Sequence, residues 1–348
     1  TANSVSPVSF ERGYDARRYG CYWPIADIST RPHSTHSGSP SHTKRTFARR
    51  CEVFSVCFRR SRGIGGAMHI SSAAVKRPLI AVCLMMLCGS TEAADNCSVA
   101  DVLVNSWVRM ARNHSSGLPT TQATRRELEF KTNDQVALKG YSYSPPSQES
   151  ETAAKHFILL LQGSASSAAQ LAETASGLAL AAKREVFVYE YRGYASESTV
   201  HPTAAAIQRD IDAIIDSLSE RGRRGVVIGL SMGGIFAIQS LKRSKSGDLR
   251  ALVDSAPAQV PTIPFLLRCP RWMNPLDAAT ADVVQRLGVL YGADDGWSKD
   301  RAAKELMEKV KAGGGRVWMI EGGHVDLSLS GLAVRLPIYV DFVQERSP

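Results

Sequence analysis

Residues Val226–Gly233 read Val-Val-Ile-Gly-Leu-Ser-Met-Gly, and Gly234 follows them. The run Val226, Val227, Ile228 is β-branched and apolar, which suits a buried strand. From Met232 onward the residues fit a helix, so chain direction changes at Ser231. Gly229-Leu230-Ser231-Met232-Gly233 is a G-x-S-x-G, and the pentapeptide alone is weak. Its place between a strand and a helix is what a nucleophile elbow demands. The glycines let the turn close without Cβ collisions. The Ser231 hydroxyl is thereby lifted to the carboxyl edge of the sheet, where open α/β sheets bind ligands.

The same alternation extends outward. Ser98–Asn113 predicts a helix, and Glu127–Lys131 and Val136–Tyr143 predict a hairpin around the turn-rich Thr132-Asn133-Asp134-Gln135. His156–Leu161 and Val186–Tyr191 predict strands, and Ser166–Ala182 an Ala-rich helix. Thr203–Arg221 predicts a helix with Ile207, Ile211, Ile214, Ile215 and Leu218 on one face. After the elbow come a helix over Met232–Lys242, strands over Leu252–Asp254, Leu287–Tyr291 and Arg316–Ile320, and helices over Ser298–Lys311 and Leu336–Gln344. Continuous apolar strands separated by helices imply an α/β domain, a mostly parallel, doubly wound sheet with helices on both faces.

An elbow serine needs a base, and the base needs an orienting acid. Gly292-Ala293-Asp294-Asp295 follows the strand Leu287–Tyr291, and Gly322-Gly323-His324 follows Arg316–Ile320. Both groups fall at carboxyl ends of strands, on the rim that carries Ser231. The order Ser, Asp, His along the chain is that of α/β hydrolases. Spacing alone leaves Asp294 and Asp295 both open as the acid, with Asp326 and Asp254 more remote.

Four blocks carry a resemblance: Leu160-Leu161-Gln162-Gly163-Ser164, Glu190-Tyr191-Arg192-Gly193-Tyr194, the Ser231 elbow, and Gly322-Gly323-His324. Together they resemble the α/β-hydrolase superfamily, in its small esterase and serine-aminopeptidase-like branch. The resemblance implies the α/β-hydrolase fold and a Ser231, His324, Asp295 triad, with Asp295 selected over Asp294. It implies an oxyanion hole from the backbone N–H of Met232 and of Ser164, with Gly163 allowing close approach. It also implies cleavage of carboxylic esters through an acyl-enzyme, with no cofactor and no metal. A peptidase or amidase of the same fold is the alternative within that resemblance, and a catalytically inactive secreted binding protein the alternative outside it. Two departures stand out: Gln162 where the family has His, and Glu190 where it has Asp. Glu190 and Arg192 read as structural ties of a loop beside the site.

Composition bears on partners. The chain of 348 residues has a formal net charge of +9, but residues 1–96 carry +7 of it and residues 97–348 only +2. A nucleic-acid footprint needs a basic stripe on the domain itself, so the expected partner is a small-molecule ester or acyl substrate, with no nucleic acid and no integral membrane span. Residues 1–67 lack Met and read as a disordered or untranslated leader. Residues 68–93 read as a signal peptide: Lys76 and Arg77, the apolar core Leu79–Cys88, then small residues up to Ala93 and Ala94. The expected location is secreted or periplasmic. Lipid anchoring at Cys88 is disfavoured by Leu87, where a small residue is wanted. Five of seven cysteines lie in this leader, leaving Cys97 and Cys269, whose pairing the sequence leaves open.

The hydrolase domain is expected over residues 97–348, with a small cap at 257–286. Pro257, Pro261, Pro264, Pro270 and Pro275 surround Phe265, Leu266, Leu267, Trp272 and Met273 there. A stiff apolar flap over a site for short or medium acyl chains is the expectation.

Overall fold

A computed structural model describes residues 120–146, 155–195, 202–260 and 273–344 apart from a few short breaks, with isolated residues at 101–112 and 198–200. The expected leader and signal peptide (residues 1–93), Cys97, Cys269 and residues 261–272 of the expected cap lie outside the described residues.

Eight strands form one sheet: β1 (Thr124–Lys131), β2 (Ala137–Ser144), β3 (His156–Leu161), β4 (Glu185–Tyr189), β5 (Arg224–Leu230), β6 (Arg250–Asp254), β7 (Leu287–Gly292) and β8 (Arg316–Ile320). Their order across the sheet is β1-β2-β4-β3-β5-β6-β7-β8. Strands β1 and β2 pair antiparallel, as do β2 and β4, and every other pairing is parallel. The chain runs from β3 outward to β4, then returns to the other side of β3 to lay down β5. That reversal opens a crevice at the carboxyl ends of β3 and β5, the place where such sheets receive ligands.

Side chains alternate between two cores, as strand geometry requires. Phe157, Leu159 and Leu161 of β3 join one core, while Ile158 and Leu160 join the other. Helices α2 (Ala204–Ser219), α3 (Met232–Arg243) and α6 (Arg301–Ala312) cover the first face through Ile207, Ile211, Phe236 and Leu306. Helices α1 (Ala172–Ala182) and α7 (Leu329–Gln344) cover the second through Leu178, Ala179, Tyr339 and Phe342. Thr203 caps α2 by accepting from Ala206 N. The described residues of the first predicted helix are helical, with Val104, Val108 and Ala111 buried on one face, and Asp101 Oδ1 accepts from Ala204 N at 2.8 Å.

Several boundaries differ from the sequence expectation, four of them near the site or in the helices beside it. Strand β4 stops at Tyr189, because Glu190 and Tyr191 turn onto the loop after β3. Helix α1 begins only at Ala172, behind a tight 3₁₀ turn at Ala169–Leu171. A second such turn, Trp297–Lys299, precedes α6. Helix α7 starts at Leu329 and continues through Pro337, which gives up one hydrogen bond of the helix without ending it. In the cap, the short helices α4 (Pro275–Ala278) and α5 (Ala281–Val284) follow Met273. Met273, Ala278 and Val283 are buried in the first core, so Met273 packs on the domain and not in a flap. No helix of the described residues is long and apolar enough to cross a membrane.

Candidate active site

Strand β5 ends at Leu230 and α3 begins at Met232, leaving Ser231 to make the whole turn. Its backbone sits at φ 51°, ψ −117°, a left-handed setting costly for a residue with a Cβ. Packing around it enforces the strain. A Cβ on Gly229 would collide with the Gly233 carbonyl, and one on Gly233 would come within 2.6 Å of Leu161 O. Ser231 N donates to Asp254 O at 2.8 Å, and Gly234 N donates back to Ser231 O at 2.9 Å. The elbow glycines are therefore required by close approach of three chain segments.

Two loops on the same rim bring polar side chains to Ser231. His324 Nε2 lies 2.9 Å from Ser231 Oγ, and His324 Nδ1 lies 3.1 Å from Asp295 Oδ2. In the tautomer where Nδ1 donates to the carboxylate, Nε2 faces the hydroxyl as its acceptor. Asp295 is 2% exposed, and its second oxygen accepts from Trp297 N at 3.0 Å. Asp294 is exposed instead; its backbone N donates to Gly322 O at 2.9 Å. The two loops are stitched further by Ala293 N donating to Ile320 O at 2.8 Å, and Gly292 leaves room for the Gly322 and Gly323 carbonyls. Ser231, His324 and Asp295 are thus brought together, while Asp326 and Asp254 bond elsewhere.

The loop after β3 flanks the serine. A Cβ on Gly163 would lie 3.5 Å from Ser231 Cβ, in ordinary van der Waals contact, so this residue borders the serine directly. Met232 occupies the first position of α3, where a backbone N–H has no partner within its own helix. The two residues that depart from the family pattern meet each other: Gln162 Nε2 donates to Glu190 Oε2 at 3.3 Å, and Glu190 Oε1 accepts from Ala168 N at 2.8 Å. Arg192 binds Asp210 through Nε at 2.7 Å and Asp134 through Nη1 at 2.8 Å, tying the β4 exit to α2 and the β1–β2 turn.

Sequence reading missed a buried group behind the histidine loop. Asp254, at the end of β6, accepts from Ser255 Oγ, Arg335 Nε and Tyr339 Oη. Arg335 Nη2 also donates to Gly323 O at 3.1 Å, next to His324. The available signal was an arginine inside the apolar run Leu332–Val343, which in a buried helix demands a carboxylate. Among the described residues no group of three or more His, Cys, Asp or Glu side chains is placed to hold a metal ion.

Comparisons with known proteins agree with this architecture. A family described as serine aminopeptidase, S33, matches residues 152–317, a span that contains the elbow and Asp295. No curated protein matches. Among solved structures, an esterase of Pyrococcus furiosus is 19% identical with a TM-score of 0.50, covering 65% of this chain and 94% of its own. Fungal esterases of Rhizomucor miehei are represented at 17% identity and a TM-score of 0.50, covering 70% of this chain and 90% of theirs. A carboxyl esterase of the fungus Tuber melanosporum is 14% identical with a TM-score of 0.50, covering 70% and 98%. With its sheet order, its elbow and these likenesses, the chain is an α/β hydrolase by fold, similar over residues 152–317 to the serine aminopeptidase family.

Proposed function

We propose that the chain is a serine hydrolase that cleaves carboxylic esters of short to medium acyl chains through an acyl-enzyme. One observation carries the reading: the continuous hydrogen-bond path from Ser231 Oγ through His324 to the buried Asp295. In the reaction His324 Nε2 takes the Ser231 proton as Oγ attacks the ester carbonyl, and Asp295 stabilises the imidazolium. The tetrahedral oxyanion is held by the Met232 and Ser164 amides, with Gly163 giving access. His324 then returns its proton to the leaving alcohol and activates water to release the acid. These steps call on no metal and no organic cofactor.

The ester reading is supported by the solved relatives, which are esterases. The matched family is named for an aminopeptidase, and that favours an amide substrate as a second reading. Hydrolysis of p-nitrophenyl esters from acetate to palmitate, beside an aminoacyl p-nitroanilide, tests both. Ester turnover with an optimum at or below the octanoate supports the proposal; faster turnover of the anilide supports the second reading instead. Export belongs to the proposal as well, resting on Lys76, Arg77 and Leu79–Cys88. Sequencing the amino terminus of the mature protein tests it, with a start just after Ala93 or Ala94 expected.

A further inference from the structure

A peptide unit is planar and trans, so anchoring its carbonyl aims the N–H of the next residue in the opposite direction. Three successive carbonyls are anchored in the loop after β3. Tyr191 Oη donates to Gln162 O at 2.8 Å. Ser166 N donates to Gly163 O at 3.3 Å. Tyr194 Oη donates to Ser164 O at 2.9 Å. The peptide joining Gly163 to Ser164, whose N–H the proposed mechanism uses, is thus bracketed by two tyrosine hydroxyls. The internal turn bond that orients this peptide is longer than either phenol bond and sets its direction less firmly.

Both phenols come from the segment just beyond β4, and that segment is itself held. Tyr191 and Tyr194 stack edge to face at 5.4 Å, and Tyr191 packs likewise on Phe236 of α3. Gly193 lies between them at φ 80°, and its carbonyl accepts from Arg112 Nε at 3.0 Å. A Cβ on Gly193 would come within 2.6 Å of Val200 O. Arg192 fixes the same segment to Asp210 and Asp134. Burial pushes both phenols above the usual tyrosine range, so each remains an O–H donor wherever a hydrolase of this kind works.

We infer that Tyr191 and Tyr194 are positioning residues that aim the oxyanion-binding N–H of Ser164, acting through the carbonyls on either side of it. The inference rests on the serine-esterase reading above. It explains how a loop of small residues, Gly163-Ser164-Ala165-Ser166, holds one backbone direction: the neighbouring rigid segment reinforces the loop's own turn bond.

The test uses the full chain and the variants Tyr194→Phe and Tyr191→Phe, with Tyr291→Phe as control. Tyr291 is an equally buried phenol whose hydroxyl donates to Ala256 O, away from the loop after β3. Removing an oxyanion donor outright costs a hundredfold or more in kcat, so misaiming one should cost about tenfold. Tyr194→Phe is expected to lower kcat about tenfold with KM changed by less than about twofold, and to weaken a trifluoromethyl ketone inhibitor by the same factor. Tyr191→Phe should do the same, and Tyr291→Phe should change neither quantity, whatever each does to the melting temperature. If Tyr194→Phe fails to fold, Tyr191→Phe decides. Equal kcat and inhibitor affinity in wild type and the folded loop variants would overturn the inference alone. A wild type without ester turnover, or a Ser231→Ala variant that keeps it, would overturn the reading of the site and this inference with it.

Discussion

Arg335 Nε lies 3.0 Å from Asp254 Oδ2, with the two side chains 2% and 0% exposed. The pair joins the middle of α7 to the end of β6 directly behind the rim. Through its main-chain oxygen Asp254 also holds Ser231 N, and through Nη2 Arg335 holds Gly323 O. One ion pair therefore braces both the elbow and the histidine loop.

Removing one partner leaves the other charged and buried. Arg335→Met is expected to lower unfolding free energy by about 3 kcal/mol or more, read from urea denaturation. The double variant Asp254→Asn/Arg335→Met should recover part of that loss, since no uncompensated charge remains. A single variant as stable as wild type would show that Asp254 is already satisfied by Ser255 and Tyr339.

The two adjacent aspartates after β7 should behave differently. Asp295→Asn keeps the shape but loses the acceptor that fixes the imidazole tautomer, so kcat should fall by roughly 10³–10⁴. Asp294 points to solvent, and Asp294→Asn should stay within about twofold of wild type. Measured ester kinetics that reversed this ranking would assign the acid to Asp294.

Glycine at 233 is dictated by space. A Cβ there would sit 2.6 Å from Leu161 O and 2.7 Å from Gln162 O, both backbone atoms that cannot step aside. Gly233→Ala is expected to cost about 2 kcal/mol or more in stability. Gly296→Ala meets nothing within 4 Å, and it should cost less than about 0.5 kcal/mol. Thermal unfolding of the two variants, side by side, checks the contrast.

A pH dependence follows from the β1–β2 turn. Arg192 beside Asp134, with help from the Thr132 hydroxyl, holds that carboxyl well below the usual carboxylate range. Its folded pKa is below its unfolded value, so between the two the unfolded chain binds more protons. The contribution to stability is complete above the unfolded value of about 4 and is lost as pH falls through the folded one. Because Asp134 is 56% exposed, screening limits the contribution to about 1 kcal/mol. Asp134→Asn should therefore be less stable than wild type at neutral pH, with the gap closing in strong acid. A gap that widened on acidification would reverse the assigned sign.

Much of this was legible one segment at a time. Strand β3 falls on the residues that its apolar run predicts, because a strand enclosed by sheet and helices writes its burial into consecutive side chains; β8 also falls where expected, although it is the half-exposed edge strand. Ser231 and His324 stood out because each follows a strand and sits beside turn glycines, a local signature; the same signature left Asp294 and Asp295 both open, and only the family resemblance selected Asp295. Long-range partners left weaker marks: Arg335 in its apolar run calls for a carboxylate without saying which one. Nothing near Ser164 in sequence announces Tyr194, thirty residues on, and nothing near Asp254 announces Arg335. The end of β4 was misjudged for the same reason: Glu190 and Tyr191 look like strand residues until their side chains find the neighbouring loop. The sequence expectation also starts the last helix at Leu336, whereas packing of Leu332 and Arg335 carries it from Leu329 through Pro337.

The central claim is that Ser231 is a nucleophile activated by His324. Treatment of the folded chain with a fluorophosphonate, followed by peptide mass spectrometry, tests it most directly. The account predicts a single phosphonyl adduct on Ser231, absent from Ser231→Ala and formed far more slowly in His324→Ala. An adduct on another residue, or none on a folded chain, would contradict it.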